Sequence, residues 1–142
     1  MAEISRAKAR LIIAKAIACG REKGMKPLSV IVLDSGGHVK AFEREDGAAP
    51  GRYQIAEGKA YGVVMTGMSG TALFNRDEQQ PYFVAALNGA YGGKVIPVPG
   101  GVLVRDKNGV VIGAVGVTGD TSANDAIAAV AGIEAAGLTA EA

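Results

Sequence analysis

An α+β domain is the fold class that this sequence predicts, and three observations carry it. The longest β-branched run, Gly109-Val-Val-Ile-Gly-Ala-Val-Gly-Val-Thr-Gly-Asp120, is apolar on both faces, as a strand buried on both sides must be. Upstream lies a hairpin pattern turning at Ser35-Gly36-Gly37, with helix patterns filling the interval, and an alanine-rich helix pattern follows the run at once. The order α-β-β-α-α-α-β-β-α, with an extra strand at Val95 before the last two, then describes an antiparallel sheet made of a hairpin, a helical crossover and a meander, with helices on its faces. At 142 residues the chain is the size of one domain, expected to span 1–142.

The first helix starts at the N-cap candidate Ser5 and runs to about Glu22, stopped by Lys23-Gly24. Its expected core stripe is Ile4, Ala7, Leu11, Ala14 and Ala18, widened by Ile13 and Ile17. Leu28 to Asp34 is an apolar strand near the sheet centre, and His38 to Glu43 is its antiparallel partner. After the loop Glu45 to Gly51, a helix from about Arg52 to Thr66 places Ala56, Ala60, Val63 and Val64 on one side. Gly58 and Gly62 make a flat strip on it, at roughly 1 kcal/mol of helix propensity each, which close packing of another backbone would offset.

Gly67 to Asp77 reads as a turn and a short helix. Another helix opens at Gln80-Pro81 and stops at Asn88-Gly89. Val95 to Val98, Gly101 to Arg105 and Val110 to Thr118 read as strands, the last two joined by the turn Asp106 to Gly109. In the long strand, alternation puts Val110, Ile112, Ala114 and Gly116 on one face and Val111, Gly113, Val115 and Val117 on the other. Thr121 or Ser122 caps the last helix, which runs to about Ala136.

Composition excludes several function classes. Net charge is +1, and tryptophan is absent, so neither a basic field nor a stacking surface points to nucleic acid. Charges interrupt the apolar N-terminal stretch, so no signal peptide or membrane span is expected and the protein is read as cytoplasmic. Cys19 stands alone in an apolar helix pattern and is expected to be a small buried hydrophobe. The N-terminal helix region is basic and the C-terminal one acidic, as would suit terminal helices that are neighbours on one face of the sheet; a basic surface for an anion or another subunit is the other reading.

The familiar catalytic patterns fail. Gly113, Gly116 and Gly119 have the spacing G-x-x-G-x-x-G rather than G-x-G-x-x-G, no phosphate-binding loop occurs, and no cluster has metal-ligand spacing. What remains is a polar set in an apolar chain: Arg44 and Asp46 after the second strand, Lys59 in the following helix, Thr118 and Asp120 after the long strand, and Asp125 in the last helix. An unpaired ammonium at Lys59 would be costly among Ala56, Ala60 and Val63, so it is expected to meet a carboxylate such as Asp46. That pair is either a structural ion pair or part of a ligand site.

The stretch Asp34-Ser-Gly-Gly-His-Val-Lys-Ala-Phe-Glu-Arg-Glu-Asp-Gly-Ala48 resembles the D-x-G-G-x-x-x-A-x-x-R-x-D-G-A motif of the GlcG/HbpS-like proteins, a group also found as the C-terminal domain of some PduO-type proteins. The helix residues Ala56 to Ala60, the pair Gly100-Gly101, and Gly113 to Gly119 followed by Asn124-Asp125 resemble the family's remaining motifs in the same order. The resemblance implies a profilin-like sheet flanked by helices, a homo-oligomer, and binding of a small molecule with haem as the candidate cofactor. The ligand-binding residues it and the polar set suggest are Arg44, Asp46, Lys59, Gly100, Gly101, Thr118 and Asp125, with no metal site. The alternative is a small catabolic accessory enzyme that uses Asp46, Lys59 and Asp125 for acid-base chemistry. The first helix contains no histidine, unlike relatives in which such a residue is implicated in haem; His38, Cys19, four methionines and four tyrosines are the available iron-ligand types.

Overall fold

The computed structural model describes residues 3–142. Its elements are α1 (Arg6–Glu22), β1 (Ser29–Asp34), β2 (Val39–Arg44), α2 (Arg52–Thr66), α3 (Gly70–Gln79), α4 (Pro81–Ala90), β3 (Gly101–Arg105), β4 (Val111–Thr118), α5 (Ser122–Ala135) and β5 (Thr139–Glu141). The strands form one antiparallel sheet in the order β2-β1-β4-β3-β5, so the β-branched run is its middle strand. This is the α+β architecture expected from the sequence.

Each face of the sheet has its own core. Val30, Val32, Val102, Val104, Val115 and Val117 pack under α1 and α5, while Ile31, Leu33, Leu103 and Ala114 pack under α2 and Leu73 of α3. Gly101 and Gly116 lie opposite each other on β3 and β4. A Cβ at Gly116 would overlap the carbonyl oxygen of Ala56, and one at Gly101 that of Lys59. The two glycines therefore seat the backbone of α2 directly on the sheet, which is the reason for small residues in the central strand.

The terminal helices are neighbours. Gly132 of α5 lies against the backbone of Ile12 and the methyl of Ala16, and Lys8 donates to the carbonyl of Ala136 at the C-terminal end of α5, 3.0 Å away, where the helix dipole favours a cation. Ser5 and Thr121 cap α1 and α5 as expected, each accepting a backbone N–H three residues on. The side of α1 that is buried differs from the expected stripe: Ala9, Ile12, Ile13, Ala16 and Gly20 face inward, while Ala7, Leu11, Ala14 and Ala18 are exposed. Burying the adjacent isoleucines removes more apolar area from water than the alanine stripe would, and Ala16 gives α5 its close approach. Cys19, on the flank of that face, is half-buried rather than a core residue.

Three further differences have local causes. Val95 to Val98 is not a strand; Pro97 and Pro99 lack ladder donors, and the segment instead crosses α2, with the Ile96 N–H donating to Gly58 O at 3.2 Å. The strip at Gly58 and Gly62 is thereby covered by Ile96 and Val95 of the same chain. In β4, a register shift between Val104 and Arg105 of its neighbour interrupts the alternation, so Ile112 joins Val115 and Val117 on the α1 side. The short strand β5, too polar to announce itself, follows Gly137 at φ 77° and pairs with β3.

Gly116→Ala should lower stability by ~1–3 kcal/mol or more, because α2 must lift from the sheet. Gly89→Ala, at a helical site with nothing within 4 Å of the new methyl, should raise it by about 0.4–1 kcal/mol. Thermal melts of the two variants beside the wild type check the contrast.

Candidate functional site

Lys59 leaves α2 at the end of the sheet where β3 begins and β4 ends. Its side chain is 4% exposed, and its Nζ donates to the Val117 carbonyl and to Asp125 Oδ2, both at 3.0 Å. The path is open because Gly100, at φ 114°, has no side chain; a Cβ there would stand 3.0 Å from Nζ. Lys59 belongs to the layer on one face of the sheet and Asp125 to the helix on the other, so the ion pair ties the two layers together around the sheet end.

Asp125 sits in the first turn of α5, where the dipole favours an anion, and its other oxygen accepts the Asp120 N–H at 2.9 Å. Asp120 in turn accepts from the Lys26 N–H at 2.9 Å and from Asn124 Nδ2 at 2.7 Å, fixing the loop before β1 to the start of α5. These hydrogen bonds, from Lys26 first and Asn124 next, hold the Asp120 carboxyl at about 2. Burial pushes the Lys59 ammonium below its ordinary value, Asp125 opposes the shift, and the neighbouring Arg52 adds to it.

Arg52, the first residue of α2, donates from Nη1 to Thr118 Oγ1 at 2.7 Å. Together with Lys26, Pro27, Gly47, Ala48, Ala49 and Gly119 it lines a hollow of about 240 Å³ beside the ion pair. Ser29, opposite Thr118 in the ladder, buries its hydroxyl without a hydrogen-bond partner among the described residues. The hollow can accept an anionic group, since Arg52 and Lys26 are among the residues that line it.

Of the seven residues suggested by the sequence, Lys59, Gly100, Gly101, Thr118 and Asp125 come together here. Arg44 and Asp46 do not; both are exposed. The expected Lys59–Asp46 pair is replaced by Lys59–Asp125 because Asp46 is on the exposed loop before α2, whereas α5 starts at the sheet end onto which Lys59 opens. Sequence reading missed Arg52 and Lys26. Arg52 carried a signal, since a cation in the first turn of a helix is disfavoured by the dipole and needs a partner.

Residues 4–134 match the model of the haem-degrading, HbpS-like protein family. The chain belongs to that family. Among solved structures, the HbpS-like chain is similar to a double mutant of Streptomyces reticuli HbpS (TM-score 0.82, 26% identity, 94% of this chain and 87% of that one). It is also similar to Klebsiella pneumoniae protein ORFY (0.83, 24%, 94% and 90%) and to PduOC, crystallised as a complex with haem (0.82, 22%, 94% and 94%). No curated protein matches it significantly.

Neither His38, Met25 nor the hollow on α5 of this HbpS-like chain offers a place for an enclosed, axially held haem. His38 is 83% exposed in the hairpin turn, 3.3 Å from Asp34, Met25 is buried in the core, and Met1 lies outside the described residues. A larger hollow, about 390 Å³ on the outer face of α5, is lined by Ala126, Ile127, Val130, Ala131, Glu134 and Ala142, none of them an iron ligand of the usual haem set.

Asp125→Ala should cost about 3–5 kcal/mol by stranding a buried ammonium, and adding Lys59→Met should recover part of that loss in urea titrations. Equal losses in the single and double variants would mean the stranded charge is not the cause. Asp120 has a folded-state value below its unfolded one, so its contribution is complete above pH ~4 and lost as pH falls toward about 2. Asp120→Asn should therefore flatten the acid limb of the melting temperature over that window.

Proposed function

We propose that this chain is a cytoplasmic small-ligand-binding protein that works as a homo-oligomer and receives an anionic group of its ligand at the Arg52–Lys26 hollow. The observation that carries this reading is that Arg52 and Lys26 both line one hollow, with Arg52 anchored to Thr118 on the sheet. Haem is the ligand suggested by the family and by the PduOC complex. At about 240 Å³ the hollow is smaller than the roughly 300–1,000 Å³ of sites that enclose a drug-sized molecule. A haem would therefore be held here by its propionates, with its ring outside the hollow and no side chain on the iron from α1.

Salt should weaken such an electrostatic contact. Haemin titrations followed at the Soret band should show affinity falling with salt, falling about tenfold in Arg52→Met and measurably in Lys26→Met, and unchanged in His38→Ala. Circular dichroism of each variant confirms that it is folded. A salt-resistant transition that survives both cation variants, or one that vanishes in His38→Ala, would overturn the reading.

The oligomer rests on α5, whose outer face presents Ala126, Ile127, Val130 and Ala131 beside the hollow described above, with Ile127 46% exposed. Light scattering should give a mass above that of one chain, and Ile127→Glu should lower it. A single-chain mass for the wild type would sink the proposal.

A further inference from the structure

The helix α4 (Pro-Tyr-Phe-Val-Ala-Ala-Leu-Asn-Gly-Ala) has no charged residue, yet Val84 is its one fully buried side chain. Its inner side faces the C-terminal end of α2 across a slot of about 240 Å³ lined by Met65, Thr66, Met68, Arg76, Phe83, Leu87 and Tyr91. This slot is at the opposite end of α2 from Arg52, about 20 Å away at 1.5 Å per residue.

The polar groups in the slot are few, and their commitments are unequal. The Thr66 hydroxyl donates to Gly62 O at 2.7 Å and accepts the Met68 N–H at 3.2 Å, so its one donor is committed. The Arg76 guanidinium lies over the Phe83 ring, 4.3 Å from its centroid. Its Nε donates to Gln80 Oε1 at 2.6 Å. The stacking and the Nε bond fix the plane of the fork, while among the described residues its Nη groups have no hydrogen-bond partner. A guanidinium held flat with its outer edge uncommitted is preorganised for a carboxylate, which it can meet through two parallel N–H···O bonds.

The remaining wall is suited to a flat ring. The Met65 and Met68 thioethers make favourable contacts with aromatic edges, and Phe83 and Tyr91 offer edge-to-face partners. Tyr91 is itself supported from behind by Tyr61, with ring centroids 6.5 Å apart. The volume of about 240 Å³ suits one ring.

We propose that this slot binds a single-ring aromatic carboxylate, its ring between the two methionines and α4 and its carboxylate on the Nη edge of Arg76. Methyl-labelled methionine reports it directly. Titration with benzoate should shift the Met65 and Met68 signals saturably and leave Met25, buried on the other side of the sheet, in place. Arg76→Met should weaken benzoate about tenfold while leaving the weaker binding of benzyl alcohol unchanged, with an unmoved Met25 signal showing that the variant is folded. The proposal is overturned by an absence of saturable shifts at millimolar benzoate or by equal affinity in Arg76→Met. It is equally overturned by Met65 and Met68 shifts that depend on protein concentration alone, which would make a second copy of the chain the occupant. The haemin titration reads a different signal at the far end of α2, so either result can fail while the other stands.

Discussion

The sheet end depends on one buried ion pair. Lys59 and Asp125 belong to helices on opposite faces of the sheet, and their contact is possible only where the strands stop and a glycine leaves room. Both charges are out of water, so neither can lose its partner cheaply. The cost of burial is offset by geometry. The ammonium also finds the Val117 carbonyl, and the carboxylate also finds the Asp120 amide and a helix N-terminus. Gly100, Gly101, Gly116, Thr118 and Asp120 occupy the positions that this arrangement requires around it.

The same arrangement explains why a cluster of charges can be rigid in so apolar a chain. Asp120 fixes the loop before β1, Thr118 takes Arg52, and Arg52 adds its charge to that of Lys59. The Asp125 and Asp120 carboxylates are committed to the scaffold. Arg52 and Lys26 are among the residues lining the hollow, and the anionic ligand proposed for it would meet them there.

The central strand, the hairpin, the meander and the capped terminal helices were legible in the sequence because periodicity and turn chemistry are local signals. That Lys59, Gly100, Gly101, Thr118 and Asp125 lie near one another was legible too, through a resemblance of motifs. The partner of Lys59 was not, since an ion pair across layers depends on where two helices end in space and Asp46 is nearer in sequence. The buried side of α1 was misread because alanine at helical spacing and paired isoleucines offer competing stripes, and only the fit of Gly132 against Ala16 decides between them. Val95 to Val98 looked like a strand by side-chain type, whereas its two prolines and the glycine strip of α2 made it a brace.

The strand order leaves β2 and β5 at the two rims of the sheet. β2 carries Lys40, Glu43 and Arg44 among its six residues and is kinked by the register shift beside Val32 and Leu33, while β5 is only three residues long. Charge, a bulge and brevity are the devices by which rims resist pairing with a neighbour's backbone. Open-ended growth of the sheet from molecule to molecule is thereby disfavoured. The helix faces, by contrast, offer side-chain contacts of the kind that can close on themselves.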